Sequence, residues 1–124
     1  RIAVLGYAFK RGTDDTRNTP AKPIVERRGD HGAHIQITDP HVPDEQVEDE
    51  VKINPIELTV ALENADAVIL VTGHEQYREL SPKSLIDYVG SESFIVVDGR
   101  HVFDPDDFTK TAVDYRGVGR GTHE

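Results

Sequence analysis

The chain has 124 residues, the length of one domain, and 23 acidic against 14 basic residues give it a formal net charge of −9. It contains no cysteine, which excludes disulfides, Cys-ligated zinc and thiol chemistry within it, and no apolar run approaches the ~20 residues of a membrane span. The acidic balance without a basic stripe argues against nucleic-acid binding, and it fits a salt-adapted protein and an ordinary solvated surface alike.

The first elements in chain order predict a β-α-β unit. Residues 2–5 form a short apolar run that ends at Gly6, which is typical of a buried parallel strand. Thr19-Pro20 supplies a helix cap followed by a proline, and predicts a helix that continues to Arg28. Glycines 29 and 32 end that helix, and residues 33–38 alternate between apolar and polar side chains up to Asp39-Pro40, as a second strand does.

The rest of the chain continues the alternation of helices and strands. The predicted elements are an acidic loop, a short segment at 51–53, a helix at 55–64, a strand at 67–71, one or two short helices within 74–88, a strand at 94–97, a brief helix at 105–110 and a strand at 112–115. Residues 116–124 are Gly-rich, and we expect a loose tail there. The pattern predicts an α/β, three-layer Rossmann-like domain with a mainly parallel, doubly wound sheet and right-handed crossovers.

In such a sheet, ligands bind beyond the carboxyl ends of the strands, so the loop that follows the first strand is the first place to search for a site. The loop lacks the Gly-x-Gly-x-x-Gly dinucleotide fingerprint and the P-loop motif. It does carry Lys10 and Arg17 close to a predicted helix N-terminus, a combination that can hold a diphosphate. Asp14 and Asp15 would repel an anion, so we expect them to support the loop and orient Arg17 or Thr13. A merely solvated, charged loop is the alternative.

Several motifs then occur together and in order. They are residues 5–10 with 13–17 and Pro20, Asp39-Pro40, residues 65–68 with Thr72 and Glu75, residues 98–100 with Val102-Phe103, and residues 117–120. Along essentially the whole chain, this series resembles the C-terminal, UDP-binding domain of the UDP-glucose/GDP-mannose dehydrogenase family. The start without Met or a signal-peptide pattern agrees with a segment of a longer protein.

The resemblance implies part of a cytoplasmic, NAD-dependent enzyme that oxidises the C6 hydroxyl of a UDP-sugar, of the UDP-glucose or UDP-N-acetylmannosamine type, to a carboxylate. In the family, the NAD-binding domain and the catalytic cysteine lie upstream, and a long helix joins the two halves and builds a homodimer. By matching motif positions, Phe9, Lys10 and Arg100 contact the UDP-sugar and Arg17 reaches NAD. The partners are then the UDP-sugar and the remainder of the polypeptide, with no membrane or nucleic acid, and the fragment alone is expected to be inactive.

Other interpretations of these residues stay open. Arg100 can instead form an ion pair with Asp98 or Asp104, and Phe9 can simply pack in the core. Tyr7 stands where the family often has an aliphatic residue or Phe, a change that we expect to be tolerated. We expect Asp98 to be part of the scaffold, because nothing near it raises its pKa or supplies a nucleophile.

The six histidines show no metal-ligand spacing. His74 and His101 follow strands at the expected ligand edge, where one of them can line the site, and surface positions are the simpler expectation. The alternatives for the whole protein are a free-standing nucleotide-sensing module, a segment that mainly forms a dimer interface, or the GDP-mannose branch of the family.

Overall fold

Five strands form one sheet in a computed structural model that describes residues 1–8, 12–17 and 19–118. The strands are β1 (Ile2–Leu5), β2 (Ile35–Thr38), β3 (Ala67–Leu70), β4 (Ile95–Asp98) and β5 (Asp114–Gly117). Their order across the sheet is β2-β1-β3-β4-β5, and every pairing is parallel. Since β1 lies between β2 and β3, the chain winds in both directions from it, which confirms the predicted doubly wound α/β fold.

Helices cover both faces of the sheet. They are α1 (Ala21–Asp30), α2 (Asp44–Val51), α3 (Leu58–Leu62), α4 (Glu75–Arg78) and α5 (Pro82–Val89), and a 3₁₀ turn spans Pro105–Phe108. Alternate side chains of β1 point to opposite faces, so Leu5 joins a core with α3 and α5, whereas Val4 joins a core with α1 and α2. No helix in the described part of the chain is long and apolar enough to span a membrane.

The ends of α5 show how local sequence fixes an element. The Ser81 hydroxyl accepts a hydrogen bond from the Ser84 amide at 3.1 Å, and the Ser84 hydroxyl accepts one from the Ser81 amide at 2.8 Å. Pro82 occupies the first turn, where its missing N–H costs nothing, and Gly90 ends the helix with a φ of 92°. Both termini are therefore specified before tertiary packing adds the burial of Leu85.

The structure differs from the prediction in three segments. The predicted acidic loop is helix α2, whose acidic first turn suits the positive end of the helix dipole and whose Val47 is fully buried. The predicted helix at 55–64 narrows to α3. The last strand lies two residues later than predicted and takes in Arg116 and Gly117, so the sheet includes the first residues of the predicted tail; residues 119–124 lie outside the described part.

Candidate functional site

The chain leaves β1 through a glycine that no other residue can replace without strain. Gly6 has a φ of +100°, and a Cβ built on it would lie 2.4 Å from the Thr72 side chain. The close approach allows the Thr72 hydroxyl to donate to the Ala8 carbonyl at 2.6 Å. The first loop therefore starts in direct contact with the segment that follows β3, at the carboxyl edge of the sheet.

The Asp39 carboxylate, directly after β2, holds the start of this loop. Its Oδ2 accepts from the amides of Tyr7 at 2.6 Å and Ala8 at 2.9 Å, while its Oδ1 accepts from the amides of His41 and Val42. Burial alone would raise the pKa of Asp39, but hydrogen bonds from His74 and these amides outweigh it and hold the pKa well below its usual range. Asp39 is therefore a permanent carboxylate that organises backbone.

His74 is the second buried group at this edge, and the expectation of a surface position for it was wrong. Its side chain, like that of Asp39, is completely inaccessible, and its Nε2 lies 3.0 Å from the Asp39 Oδ2. Its Nδ1 accepts a hydrogen bond from the Gly12 amide at 2.8 Å. The sequence did not reveal this role, because a lone histidine has no characteristic spacing to a partner. The Asp39-Pro40 motif, which supplies the partner of His74 in space, was the available signal.

A second carboxylate, Glu50 of α2, holds the loop from its other side. Its Oε1 accepts from the Tyr7 hydroxyl at 2.9 Å, and its Oε2 accepts from the Thr16 hydroxyl at 2.8 Å. Burial first, and then the bond and charge of Glu50, raise the pKa of Tyr7 far above its usual value. A tyrosine is thus tolerated at this position, as predicted, because α2 provides an acceptor for its hydroxyl.

The turn after β4 is organised by a third carboxylate, Asp98. Its Oδ1 accepts from the amides of Arg100 and Val102, and its Oδ2 accepts from the Phe103 amide at 2.9 Å and the Tyr115 hydroxyl at 2.7 Å. Although burial acts in the opposite direction, these bonds hold the pKa of Asp98 below its usual range. Such a group neither donates nor accepts protons at neutral pH, which agrees with the predicted scaffold role.

Arg100 leaves this turn toward the end of β3. Its Nε donates to the Val71 carbonyl at 2.8 Å, and Asp98 contacts it through its backbone amide and not through the guanidinium. Among the residues that the structure describes, no ion pair joins Arg100 to Asp98 or Asp104. Since a guanidinium carries five donors, a contact of one of them with Val71 orients the group and leaves donors for a ligand.

A cavity of about 270 Å³ lies beside Arg100. Its wall includes Pro20 at the start of α1, Val71 after β3, Gly99 and Arg100 after β4, and Val118 after β5. The Thr19 hydroxyl accepts a hydrogen bond from the Ala21 amide at 3.2 Å, but Pro20 is the N-cap and α1 begins at Ala21, so the predicted helix start was one residue too early. The structure therefore brings Arg100 and the N-terminal end of α1 to one cavity at the predicted edge of the sheet.

Arg17 is not among the residues that line this cavity. Its Nε and Nη2 donate to the two carboxylate oxygens of Asp15 at 3.0 and 2.8 Å, and this pairing raises its pKa. The expectation that Asp15 orients Arg17 is confirmed. The Arg17 side chain is 86% exposed, so another domain or a ligand can contact it. Phe9 and Lys10, the other two predicted contacts, lie outside the described residues.

The described residues hold no cluster of three or more His, Cys, Asp or Glu side chains that could bind a metal ion. This edge of the sheet carries a cavity with the Arg100 guanidinium and the start of α1 on its wall. Asp39 and Asp98 fix the backbone of the neighbouring loops.

Comparison with known proteins decides the family. Residues 3–105 match the model of the UDP-glucose/GDP-mannose dehydrogenase family, UDP binding domain. The chain belongs to this family. It is 34% identical, over 97% of its length, to UDP-N-acetyl-D-mannosamine dehydrogenase of Pyrococcus horikoshii, and 34% identical, over 84%, to UDP-glucose 6-dehydrogenase of Pongo abelii.

Solved structures agree with the family membership. The fold resembles that of NDP-N-acetyl-D-galactosaminuronic acid dehydrogenase from Methanosarcina mazei Go1, with a TM-score of 0.86 and 31% identity over 96% of this chain. The chain spans about a quarter of the length of these relatives, 25% of the Pyrococcus protein and 24% of the Methanosarcina one. It thus corresponds to one domain of a longer family member.

Proposed function

We propose that this chain binds the nucleotide diphosphate of a UDP-sugar, as one domain of an NAD-dependent dehydrogenase that oxidises the sugar's C6 hydroxyl to a carboxylate. The observation that carries the proposal is the cavity that Arg100 shares with the start of α1, in a chain of the UDP binding domain family. The related enzymes named for UDP-N-acetyl-D-mannosamine and UDP-glucose support a substrate of that class.

Most of the described cavity wall is apolar, but two features on it suit a diphosphate: the Arg100 guanidinium and the start of α1. A guanidinium binds phosphate oxygens in a bidentate way, and the start of α1 contributes the partial positive charge of the helix dipole; the Ala21 amide already donates to Thr19. The chain carries a net charge of −9, so a local cation at a helix start is a specific attractor on a surface that otherwise repels anions. Lys10 is proposed to add a second cation from the first loop.

The domain's proposed contribution to the reaction is orientation. The chain contains no cysteine and therefore no thiol nucleophile, and Asp39 and Asp98 are held as carboxylates, so neither of these two buried groups is a proton donor. A grip on the diphosphate, remote from C6, fixes the hydroxyl relative to groups on the rest of the polypeptide.

NAD, when bound, supplies the hydride acceptor. This chain fits only the rim of a cofactor site, because it has no glycine fingerprint but does present the exposed guanidinium of Arg17. We propose that Arg17 contacts NAD from across the cleft, while the rest of the polypeptide holds the cofactor. A homodimeric, cytoplasmic enzyme is part of the same proposal.

The test is calorimetric titration of the domain with UDP, GDP and NAD at low and high salt. Arg100→Ala should raise the Kd for UDP about 10-fold or more, since a hydrogen bond to a charged group contributes ~1.5–3 kcal/mol. Arg17→Ala is the matched control, because it removes an equal charge away from the cavity, and it should leave the Kd for UDP unchanged. Lys10→Ala should weaken UDP binding in the same direction as Arg100→Ala.

Two outcomes would change the proposal. Equal Kd values for wild type and Arg100→Ala would show that the cavity does not hold the diphosphate. Tighter binding of GDP than of UDP would move the substrate to the GDP-mannose branch of the family.

A further inference from the structure

Two buried side chains join the two ends of the first loop. The Asp39 Oδ2 accepts from the Ala8 amide at 2.9 Å, and the His74 Nδ1 accepts from the Gly12 amide at 2.8 Å. The imidazole Nε2 lies 3.0 Å from that same Asp39 Oδ2. A continuous chain of hydrogen bonds therefore runs from Ala8 through Asp39 and His74 to Gly12, with both side chains fully inaccessible to solvent.

The geometry fixes the protonation of the imidazole. The Asp39 oxygens accept from four backbone amides, so Asp39 is also the acceptor in its contact with His74, and His74 Nε2 carries the hydrogen of that bond. An amide N–H donates to Nδ1, so Nδ1 carries a lone pair and no hydrogen. In the Nε2–H tautomer, each ring nitrogen of His74 is thus matched to a partner of the opposite kind.

The surroundings hold the imidazole ring in this orientation. The ring of His41, which follows β2, lies 4.6 Å away between centroids, and that of Tyr77 in α4 lies 5.7 Å away. The Tyr77 hydroxyl donates to the Thr38 carbonyl at 3.0 Å, which ties α4 to the end of β2. A group packed this rigidly is able to fix the position of the backbone that it contacts.

We propose that His74 is a positioning residue for the nucleotide-diphosphate site, because it fixes Gly12 and with it the stretch of chain that leads from the first loop into α1. This role rests on the proposed function, since it presupposes a ligand at the start of α1. His74 does not touch the ligand in this scheme. It acts through Gly12, which has a φ of +72° and open space where a side chain would lie. The hydrogen bond from the Gly12 amide to His74 restrains the position of this residue.

The side-chain amides of Asn and Gln separate the two halves of this role. In His74→Asn, an amide oxygen can take the place of Nδ1 and still accept from Gly12, whereas the donor to Asp39 is lost. In His74→Gln, the longer side chain can place an N–H near the position of Nε2 and donate to Asp39, whereas the acceptor for Gly12 is lost. Asp39 retains four backbone donors in either variant, so its own environment changes little.

The experiment measures UDP binding by calorimetry and amide hydrogen exchange of Gly12 by NMR, in wild type and both variants. The expected result is slow exchange of Gly12 and near wild-type affinity in His74→Asn, with faster exchange and about a 10-fold higher Kd in His74→Gln. A role in core filling alone would affect both variants equally or spare the longer Gln. Equal Kd values for the two variants, or faster exchange of Gly12 in the Asn variant, would overturn the proposal.

A measurement on the wild type needs no folded variant. In the NMR spectrum of the wild type, we expect scalar coupling across the hydrogen bond between the Gly12 amide nitrogen and His74 Nδ1, and a ring proton on Nε2. A ring proton on Nδ1 would overturn the proposal. Wild type that shows this coupling but binds no UDP would contradict the proposed function and, with it, the ligand-directed role of His74. The absence of the coupling in a domain that binds UDP would contradict only the role of His74.

Discussion

Replacement of Asp98 by asparagine tests whether a buried carboxylate holds the turn that carries Arg100. The Asp98 carboxylate accepts four hydrogen bonds, from three backbone amides and the Tyr115 hydroxyl. The asparagine side chain would keep one oxygen and place an NH₂ group where the other oxygen stood. Its better orientation keeps the oxygen toward Arg100 and Val102 and turns the NH₂ toward Phe103 and Tyr115.

The magnitude follows from the donors that this exchange affects. The Tyr115 hydroxyl can rotate to accept, but the hydrogen bond from the Phe103 amide to the carboxylate is lost, and loss of such a bond costs ~1–3 kcal/mol. The two bonds that remain become neutral and weaken by about 1 kcal/mol each. Because the variant also avoids burial of a charge, we expect the free energy of unfolding to fall by about 3 kcal/mol.

Urea denaturation followed by far-ultraviolet circular dichroism measures this loss at neutral pH. Tyr115→Phe is the matched control, since it removes a single donor and leaves the carboxylate with three amides; we expect a loss of about 1 kcal/mol. Asp98→Asn should also raise the Kd for UDP in the proposed site, because Arg100 follows the turn. A loss below about 0.5 kcal/mol in Asp98→Asn, with an unchanged denaturant slope, would refute the reasoning.

Three further predictions concern the first loop and the carboxylates at the ligand edge of the sheet. Gly6→Ala should lower the free energy of unfolding by about 3 kcal/mol or more, since its Cβ would overlap Thr72. Gly12→Ala, with open space around it, should lower it by about 1–2 kcal/mol. Equal losses in urea denaturation would contradict this prediction. Tyr7→Phe should cost about 1 kcal/mol through its lost bond to Glu50, and a more stable variant would contradict it. Asp39 and Asp98 have pKa values that are lower in the folded than in the unfolded protein, so their contribution to folding stability is present above about pH 4 and is lost as the pH falls further. When the urea midpoint is measured at decreasing pH, it should therefore decline less steeply in Asp98→Asn than in wild type.

The order and type of most elements were predictable because local patterns and the fold agree. Apolar runs gave β1 and β3, and the capping pair Ser81-Pro82 marked the start of α5. Helix α2 escaped prediction because its acidic composition suggested a loop, although Val47 and Val51 are spaced four residues apart on one helical face. In this segment, the burial of one valine face outweighs the loop-like composition.

The candidate site was predictable to a different depth at each residue. Arg100 could be placed at the ligand edge because it follows a strand whose carboxyl end the topology fixes. The links from Asp39 to His74 and from Glu50 to Tyr7 span 35 and 43 residues, so no local pattern reports them. They depend on which loops the sheet order brings together, and that order becomes visible only in three dimensions.

The edge strand β5 bears on how the protein behaves at high concentration. Within the described part of the chain, β5 is paired on one side, to β4, so its outer backbone groups offer a template on which another chain could add a strand. Two features oppose such addition: the strand is four residues long, and Asp114 and Arg116 form an ion pair at 3.0 Å on its exposed face. An incoming strand would have to desolvate these charges, so β5 resists edge-to-edge aggregation, and replacing both residues with valine should promote it.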